Sequence, residues 1–149
     1  MKKIFALIAL FSFTSIGAFA QNPDDILGIW LNEREDAKIE IYKQNGKYYG
    51  KIVWLLNDRE DDGSTPNRDD KNPNAGLRNR RVIGINIMTA LEWDADDEEY
   101  TDGEIYDPRS GNTYSLYGYI QDDGKLFMKG YMGFSLIGRS TEWTRSSLN

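Results

Sequence analysis

One short stretch of the chain gathers several side chains that could do chemistry. The segment GEIYDPRSGNTYS, residues 103–115, places two Tyr, two Ser, an Asp and an Arg within a few positions of one another. Carboxylates such as Glu104 and Asp107 act as general acids and bases where they converge in a cleft. The same segment carries turn chemistry, because Pro108 presets φ and Gly111 tolerates positive φ. We therefore favour a turn between two strands and rank a carboxylate-dependent enzyme last among three candidate functions.

The acidic segment DREDDGSTPNRD, residues 58–69, resembles a calcium-binding loop. Such a loop supplies oxygen ligands at positions one, three, five and twelve and a Gly at position six. The corresponding carboxylates are those of Asp58, Glu60, Asp62 and Asp69. Glu60 is longer than the usual ligand, Asp69 is shorter than the bidentate Glu, and the pattern predicts no flanking helices. A solvated acidic loop is therefore favoured over a calcium site, and no other cofactor is predicted.

The composition excludes several kinds of active site. The chain contains no His and no Cys, which excludes Ser-His-Asp and Cys-His nucleophile systems and ligation of zinc, copper or haem by those residues. The formal net charge of −6 argues against nucleic acid as a partner. No catalytic residue is assigned, and stability has to come from apolar burial and sheet hydrogen bonds rather than disulfides.

The first twenty residues have the three regions of a secretory signal peptide. Lys2 and Lys3 precede an apolar run that ends in Ala-Phe-Ala at positions 18–20. We predict cleavage before Gln21, which leaves 129 of the 149 residues and changes the formal net charge from −6 to −8. The apolar run is short for a membrane span, so no transmembrane anchor is expected after cleavage. The expected location is the periplasm or the extracellular medium.

The remaining chain has the pattern of short strands joined by tight turns. Residues 37–44 alternate apolar and polar side chains, which is typical of a strand with one buried face. Asn45-Gly46 follows, and it is a strong hairpin signal because both central residues of a type I′ turn need positive φ. About eight such strands between residues 26 and 146 predict one all-β domain, an antiparallel up-and-down barrel. A two-sheet β-sandwich is the alternative that the spacing leaves open.

Three sets of alternating residues predict the inward faces of strands. These sets are Gly50, Ile52 and Trp54; Tyr114, Leu116 and Gly118; and Leu126, Met128 and Gly130. Period-two spacing places each set on one face of its strand. The predicted ligand-lining residues are Ile52, Trp54, Tyr114, Leu116 and Met128. A Gly at an inward position either admits a ligand or lets side chains pack closely across a narrow barrel, and both alternatives stay open.

The segment from Asn57 to Arg81 has no apolar rhythm and predicts a long loop. Its second half is basic and contains Lys71, Arg78, Arg80 and Arg81. We expect these cations to neutralise the acidic first half and to hold the loop against the barrel rim through charge-assisted hydrogen bonds. Binding of an anionic head group is the alternative.

Two short motifs resemble the two ends of the calycin signature, which lipocalins and fatty-acid-binding proteins share. They are LGIW in the first predicted strand and WTR in the last, with Gly28, Trp30 and Arg145 at the matching positions. The resemblance implies that the Arg of the last strand lies over the indole of the first. A guanidinium there gains cation–π attraction and can donate to carbonyls at the closed end of a barrel. The motif is a structural signature.

A wider resemblance covers nearly all of the chain after residue 20. The segments that carry it, in order, are ILGIWL, YYGKIVWL, DKNPNAGLRNRRVIGINIM, GEIYDPRSGNTYS, LFMKGYMG and GRSTEWTR. Together they are similar to an exported bacterial family known as domain of unknown function 2147. The resemblance implies a calycin-like fold and an exported protein, and it brings no established activity.

Strand number and aromatic content favour a barrel that binds a small amphipathic or hydrophobic molecule in the cell envelope. The alternative is an interaction module with a solid barrel core whose long loop, residues 57–81, contacts an envelope protein. An internal cavity of about 300 Å³ or more distinguishes the two, because pockets for small molecules begin at that size.

Overall fold

The computed structural model describes residues 21–133 and 138–149. Within these residues eight antiparallel strands follow one another, and the last pairs with the first to close an up-and-down barrel. The strands are β1 Gly28–Leu31, β2 Ala37–Gln44, β3 Lys47–Leu55, β4 Asn86–Asp94, β5 Glu99–Asp107, β6 Asn112–Ile120, β7 Leu126–Tyr131 and β8 Gly138–Ser146. The predicted all-β barrel is confirmed, and the sandwich alternative is wrong. Two short 3-10 helices, Pro23–Ile26 and Ala75–Leu77, complete the described elements.

The predicted signal peptide, residues 1–20, lies outside the described residues. No helix in the described part of the chain has the length and apolar character needed to cross a membrane.

The connections between strands alternate between the two ends of the barrel, and the longest lies at the end opposite the Asn45-Gly46 turn. At one end, Asn45 and Gly46 join β2 to β3 with φ of 51° and 80°, as a type I′ turn requires. At the other end lie the connections 32–36, 56–85 and 108–111. Because neighbouring strands run antiparallel, every second connection returns to the same end. The two ends are therefore built from different kinds of sequence.

Strand β5 is longer than the sequence pattern predicts. The apolar pattern begins at Glu104, whereas the strand begins at Glu99. Asp102 has a φ of 57°, and the pairing with β6 shifts between Tyr100 and Gly103. A bulge of this kind interrupts the alternation of side chains, so the first half of the strand lacks the period-two pattern.

The 3-10 helix Pro23–Ile26 covers the end of the barrel where the tight turns lie. Its backbone carbonyls accept hydrogen bonds from the buried side chains of Trp30 and Tyr100, each at 2.8 Å. The hydroxyl of Tyr48 donates to the carboxylate of Asp24 at 2.7 Å. These three aromatic side chains are almost fully buried, and they close this end of the barrel.

Arg145 joins the last strand to the first at the closed end. It pairs with Trp30 in the β1–β8 register, and its guanidinium carbon lies 3.9 Å from the centroid of the Trp30 ring. It also donates to the backbone carbonyls of Leu27, at 2.5 Å, and Asp25. Gly28 has a φ of +117°, and a Cβ there would lie 3.1 Å from Nη1 of Arg145. Glycine is therefore required beside the guanidinium.

The first prediction concerns this closure. Trp30→Ala is expected to lower the free energy of unfolding by about 3–5 kcal/mol, because removal of a fully buried ring leaves a cavity. Arg145→Lys should also lower it, because an ammonium lacks the planar fork that stacks on indole while it bonds two carbonyls. Urea unfolding of both variants and the double variant gives the interaction free energy of the pair. Strictly additive effects would contradict the stacking.

Candidate functional site

The half of the barrel away from the helical cap encloses a cavity of about 720 Å³. Its apolar wall includes Ile39, Ile52, Leu55, Ile105, Leu116 and Met128. Pockets for small molecules have volumes of about 300–1,000 Å³. The cavity falls within that range, and the expectation of a solid barrel core does not match the structure.

Four of the five predicted lining residues line this cavity, namely Ile52, Tyr114, Leu116 and Met128. The exception is Trp54, for which the predicted position is wrong. Trp54 pairs with Lys38, whereas Ile52 pairs with Ile39, so β3 has one extra residue at this point. This bulge reverses the alternation of side chains. Leu55 therefore lines the cavity, and the ring of Trp54 packs under the Lys38 ammonium at 5.2 Å.

The space around the inward-facing glycines differs between the filled half and the hollow half of the barrel. A Cβ at Gly103 would lie 2.6 Å from the Leu91 side chain, and a Cβ at Gly118 would lie 2.4 Å from a backbone carbonyl. At Gly130 the nearest atom, in Tyr114, would be at an ordinary contact distance of 3.4 Å. Two glycines therefore allow close packing, whereas the third has room for a Cβ in ordinary contact with its neighbours and lines the cavity.

The segment GEIYDPRSGNTYS forms the β5–β6 hairpin at the mouth of the cavity. Asp107 accepts hydrogen bonds from the backbone N–H of Arg109 at 3.0 Å and from Ser110 Oγ at 2.9 Å. Gly111 has a φ of 75°, so the segment makes a turn. Residues 107–110 all line the mouth. The turn is thus part of the cavity, which its local chemistry alone does not indicate.

The two carboxylates considered for acid–base catalysis line different recesses. Asp107 lies at the mouth of the large cavity. Glu104 lines a separate recess of about 270 Å³ together with Arg80 and Tyr106. These two residues therefore do not form the converging pair of carboxylates that the enzyme hypothesis needs.

The long connection, residues 56–85, is anchored beside the mouth by a buried carboxylate. Asp69 has no exposed side-chain surface. It accepts hydrogen bonds from the hydroxyl of Tyr106 at 2.5 Å, from the amide of Asn72 at 2.8 Å and from the guanidinium of Arg80 at 2.8 Å. Burial, and then the hydrogen bond to Asp69, raises the pKa of Tyr106 to about 12. The phenol therefore stays a proton donor at neutral pH.

Other basic residues of this connection also bind within it. Arg78 Nε donates to the backbone carbonyl of Asn72 at 2.7 Å, and Arg81 lies 3.4 Å from the carboxylate of Asp58. Lys71 lies 3.7 Å from the neighbouring carboxylate. The contacts are those of a basic segment folded onto an acidic one, which is the arrangement that the charge pattern favours.

The structure does not gather the predicted calcium ligands Asp58, Glu60, Asp62 and Asp69 into one site. Asp69 is buried in the cluster described above, and Asp62 is bonded within its own turn. The hydroxyl of Thr65 and then nearby backbone amides lower the pKa of Asp62 to about 2. Within the described ranges no three Asp or Glu side chains form a group that could hold a metal ion. Calcium binding gains no support from this geometry and stays a prediction.

Sequence reasoning did not single out two cationic residues at the mouth, Arg34 and Arg139, and it considered the third, Arg109, only as part of the turn segment. Arg34, Arg109 and Arg139 belong to distant parts of the sequence, and all line the cavity. A usable signal exists in the topology, because alternate connections of an up-and-down barrel share one end. Grouping the charges of alternate connections would have brought these residues together.

A closed eight-stranded barrel, with an Arg over an indole at one end and a cavity at the other, defines a lipocalin-like protein. The chain belongs to the bacterial family described as "Uncharacterized protein conserved in bacteria (DUF2147)", which matches residues 28–145. The fold is also similar to that of HP1028 from the human pathogen Helicobacter pylori, described as belonging to the lipocalin family, with a TM-score of 0.68. The two sequences are 26% identical over 82% of this chain and 83% of HP1028. A comparison with curated proteins gave no match.

The second prediction concerns the anchor of the long connection. Asp69→Asn is expected to lower the free energy of unfolding by about 1–3 kcal/mol, because it weakens hydrogen bonds to a buried charge. Hydrogen exchange should also accelerate at the backbone N–H groups of Asp69 and Val82, which bond within this connection. Asp70→Asn is the matched control, because the Asp70 side chain is 70% exposed. Equal effects of the two variants would contradict the anchoring role.

Proposed function

We propose that this protein is an exported lipocalin-like barrel that binds a small amphipathic molecule in the cell envelope. The observation that carries the proposal is the cavity of about 720 Å³. Ligand pockets are mostly apolar and have a few polar groups that fix orientation. This cavity has an apolar wall, and its charged side chains lie at the mouth.

The shape of the barrel supports binding from one end. The helix Pro23–Ile26 and the buried rings of Trp30 and Tyr100 fill the closed end. A ligand therefore enters through the mouth, and its apolar part ends against packed side chains. Burial of apolar surface contributes about 25 cal/mol per Å², and Met128 in the wall can adapt its conformation to ligands of different shape.

The lipocalin-like fold is compatible with this function. HP1028 is described as a member of the lipocalin family, and the matched bacterial family is described as uncharacterized. The proposal therefore depends on the cavity of this chain and not on an activity taken from a relative.

The third prediction tests export. Two lysines, an apolar run and the sequence Ala-Phe-Ala at positions 18–20 match the pattern of a cleaved signal peptide. The mature protein is therefore expected to begin at Gln21. N-terminal sequencing of the protein from the periplasm or the culture medium measures this, and material that begins at Met1 would contradict it.

The fourth prediction tests binding in the cavity with N-phenyl-1-naphthylamine, a neutral fluorophore that brightens in apolar surroundings. The protein is expected to bind this dye, and Gly130→Phe is expected to weaken binding at least about tenfold. The new ring would fill the cavity, and the backbone at Gly130 is not in the left-handed region. Fluorescence titration gives the dissociation constants.

Lys129→Phe is the matched control for this experiment. It places the same side chain on the outer face of the same strand, because successive residues of a strand point to opposite sides. Unchanged dye binding by Gly130→Phe, or equal loss in both variants, would argue against the cavity as the binding site. Thermal melting shows that each variant is folded.

A further inference from the structure

The mouth of the cavity carries arginines from three separate segments. Arg34 lies in the β1–β2 connection, Arg109 lies in the β5–β6 hairpin and Arg139 lies near the start of β8. The described mouth also includes the carboxylates of Glu33 and Asp107. With Asp36, which pairs with Arg109, three carboxylates lie beside these three guanidinium groups, whereas the whole chain has a formal net charge of −6. The rim is therefore richer in arginine than the rest of this acidic protein.

One of these arginines forms an ion pair across the mouth. Nη2 of Arg109 lies 2.7 Å from Oδ2 of Asp36. Asp36 belongs to the β1–β2 connection, which lies four strands away from the β5–β6 hairpin in either direction around the barrel. The two connections therefore face each other from opposite sides of the opening, and the ion pair bridges it.

Asp36 is ionised and well held in this position. Its side chain is 26% exposed, and it accepts a hydrogen bond from Asn32 at 2.8 Å as well as the bond from Arg109. Burial raises the pKa of Asp36, but the hydrogen bonds from Asn32 and Arg109 outweigh burial and leave the pKa below its usual value. Arg109 thus already binds a carboxylate at the mouth of the cavity.

The other two arginines make no direct contact with a carboxylate, although the charge of Arg34 helps to lower the pKa of Asp36. Among residues 21–133 and 138–149, no Asp or Glu forms an ion pair with Arg34 or Arg139. The carboxylate of Asp107 is occupied by the hydroxyl of Ser110 and a backbone amide of its own turn. An anion from outside the protein would therefore find donors at the rim.

We propose that the cavity selects anionic amphipaths, which place an apolar tail in the barrel and an anionic head group at Arg34, Arg109 and Arg139. This inference rests on the proposed function and adds the chemical class of the ligand. A guanidinium has five N–H donors in a planar fork that matches the oxygens of a carboxylate or phosphate. The head group competes with Asp36 for Arg109, so Asp36 acts as an internal competitor that weakens binding of the anion.

Two variants separate this role from a merely structural one. Arg109→Gln and Asp36→Asn both break the same ion pair, and a structural contact predicts that they act in the same direction. Competition for the guanidinium predicts opposite effects, because the first variant removes the anion's partner and the second frees it. Lys125→Gln is the control for loss of one positive charge, since Lys125 lies beside the β6–β7 turn at the closed end.

The test compares two dyes that differ only by a sulfonate, N-phenyl-1-naphthylamine and 8-anilinonaphthalene-1-sulfonate. Arg109→Gln should weaken binding of the sulfonate dye at least about fivefold, as loss of a charge-assisted hydrogen bond does. Asp36→Asn should tighten it about twofold or more. Both variants should bind the neutral dye as tightly as the unsubstituted protein does. Lys125→Gln should leave the dissociation constants of both dyes unchanged.

Several outcomes would overturn the inference. Equal effects of Arg109→Gln on the two dyes, or weaker binding of the sulfonate dye by Asp36→Asn, would show that the rim does not recognise anions. In both cases binding of the neutral dye would leave the proposed function standing. If neither dye binds the protein, or if both dyes bind the Gly130→Phe variant as tightly as the unsubstituted protein, the proposed function itself is wrong. The inference then fails with it.

Competition against the sulfonate dye identifies the source of the anion. Dodecanoate, dodecyl phosphate and dodecanol have the same tail and differ in the head group. Displacement by either anion at a lower concentration than by dodecanol supports the inference, and equal displacement by the neutral alcohol overturns it. Stronger displacement by dodecanoate indicates that the ligand is a fatty acid, and stronger displacement by dodecyl phosphate indicates that it is a phosphate monoester.

Discussion

The stacking of Arg145 on Trp30 acts at the weakest seam of the barrel. Strand β1 has four residues and shares three residue pairs with β8, so few backbone hydrogen bonds close the sheet there. The guanidinium adds a cation–π contact and hydrogen bonds to the carbonyls of Leu27 and Asp25. Without this closure the first and last strands would be edges with unpaired backbone groups, and the cavity would lose its continuous wall.

Packing at the closed end offsets the stability that the barrel loses by leaving a cavity at its other end. Trp30, Tyr48, Tyr100 and Leu91 are almost fully buried, and close-packed glycines let their neighbours approach. A fully buried side chain of this size contributes about 1.5–3 kcal/mol. The closed half therefore supplies much of the stability, so the barrel can fold although the interior of its open half is not filled. One barrel thus has a closed, packed end and an end with a cavity.

The sequence predicts local features of this protein better than spatial ones. The hairpin signal at Asn45-Gly46 and the alternation of residues 37–44 depend on neighbouring residues, and both match the structure. The position of Trp54 depends on a bulge that no local pattern marks. The arginine-rich rim depends on the convergence of connections more than 70 residues apart, as with Arg109 and Asp36. Such contacts follow from topology and require the strand order to be known first.

Two free energies determine whether the proposed ligand can open the Arg109–Asp36 ion pair. One is that of the ion pair, and the other is that of burying the ligand's apolar tail. The Arg109 and Asp36 side chains are 54% and 26% exposed, and exposed ion pairs contribute about 0–1 kcal/mol. Burial of 100 Å² of an apolar tail contributes about 2.5 kcal/mol at 25 cal/mol per Å². Burial of the tail therefore outweighs the opening of the ion pair. In the proposed binding mode, affinity comes from the barrel wall, whereas selectivity comes from the rim, because selectivity is a difference between the affinities of competing ligands.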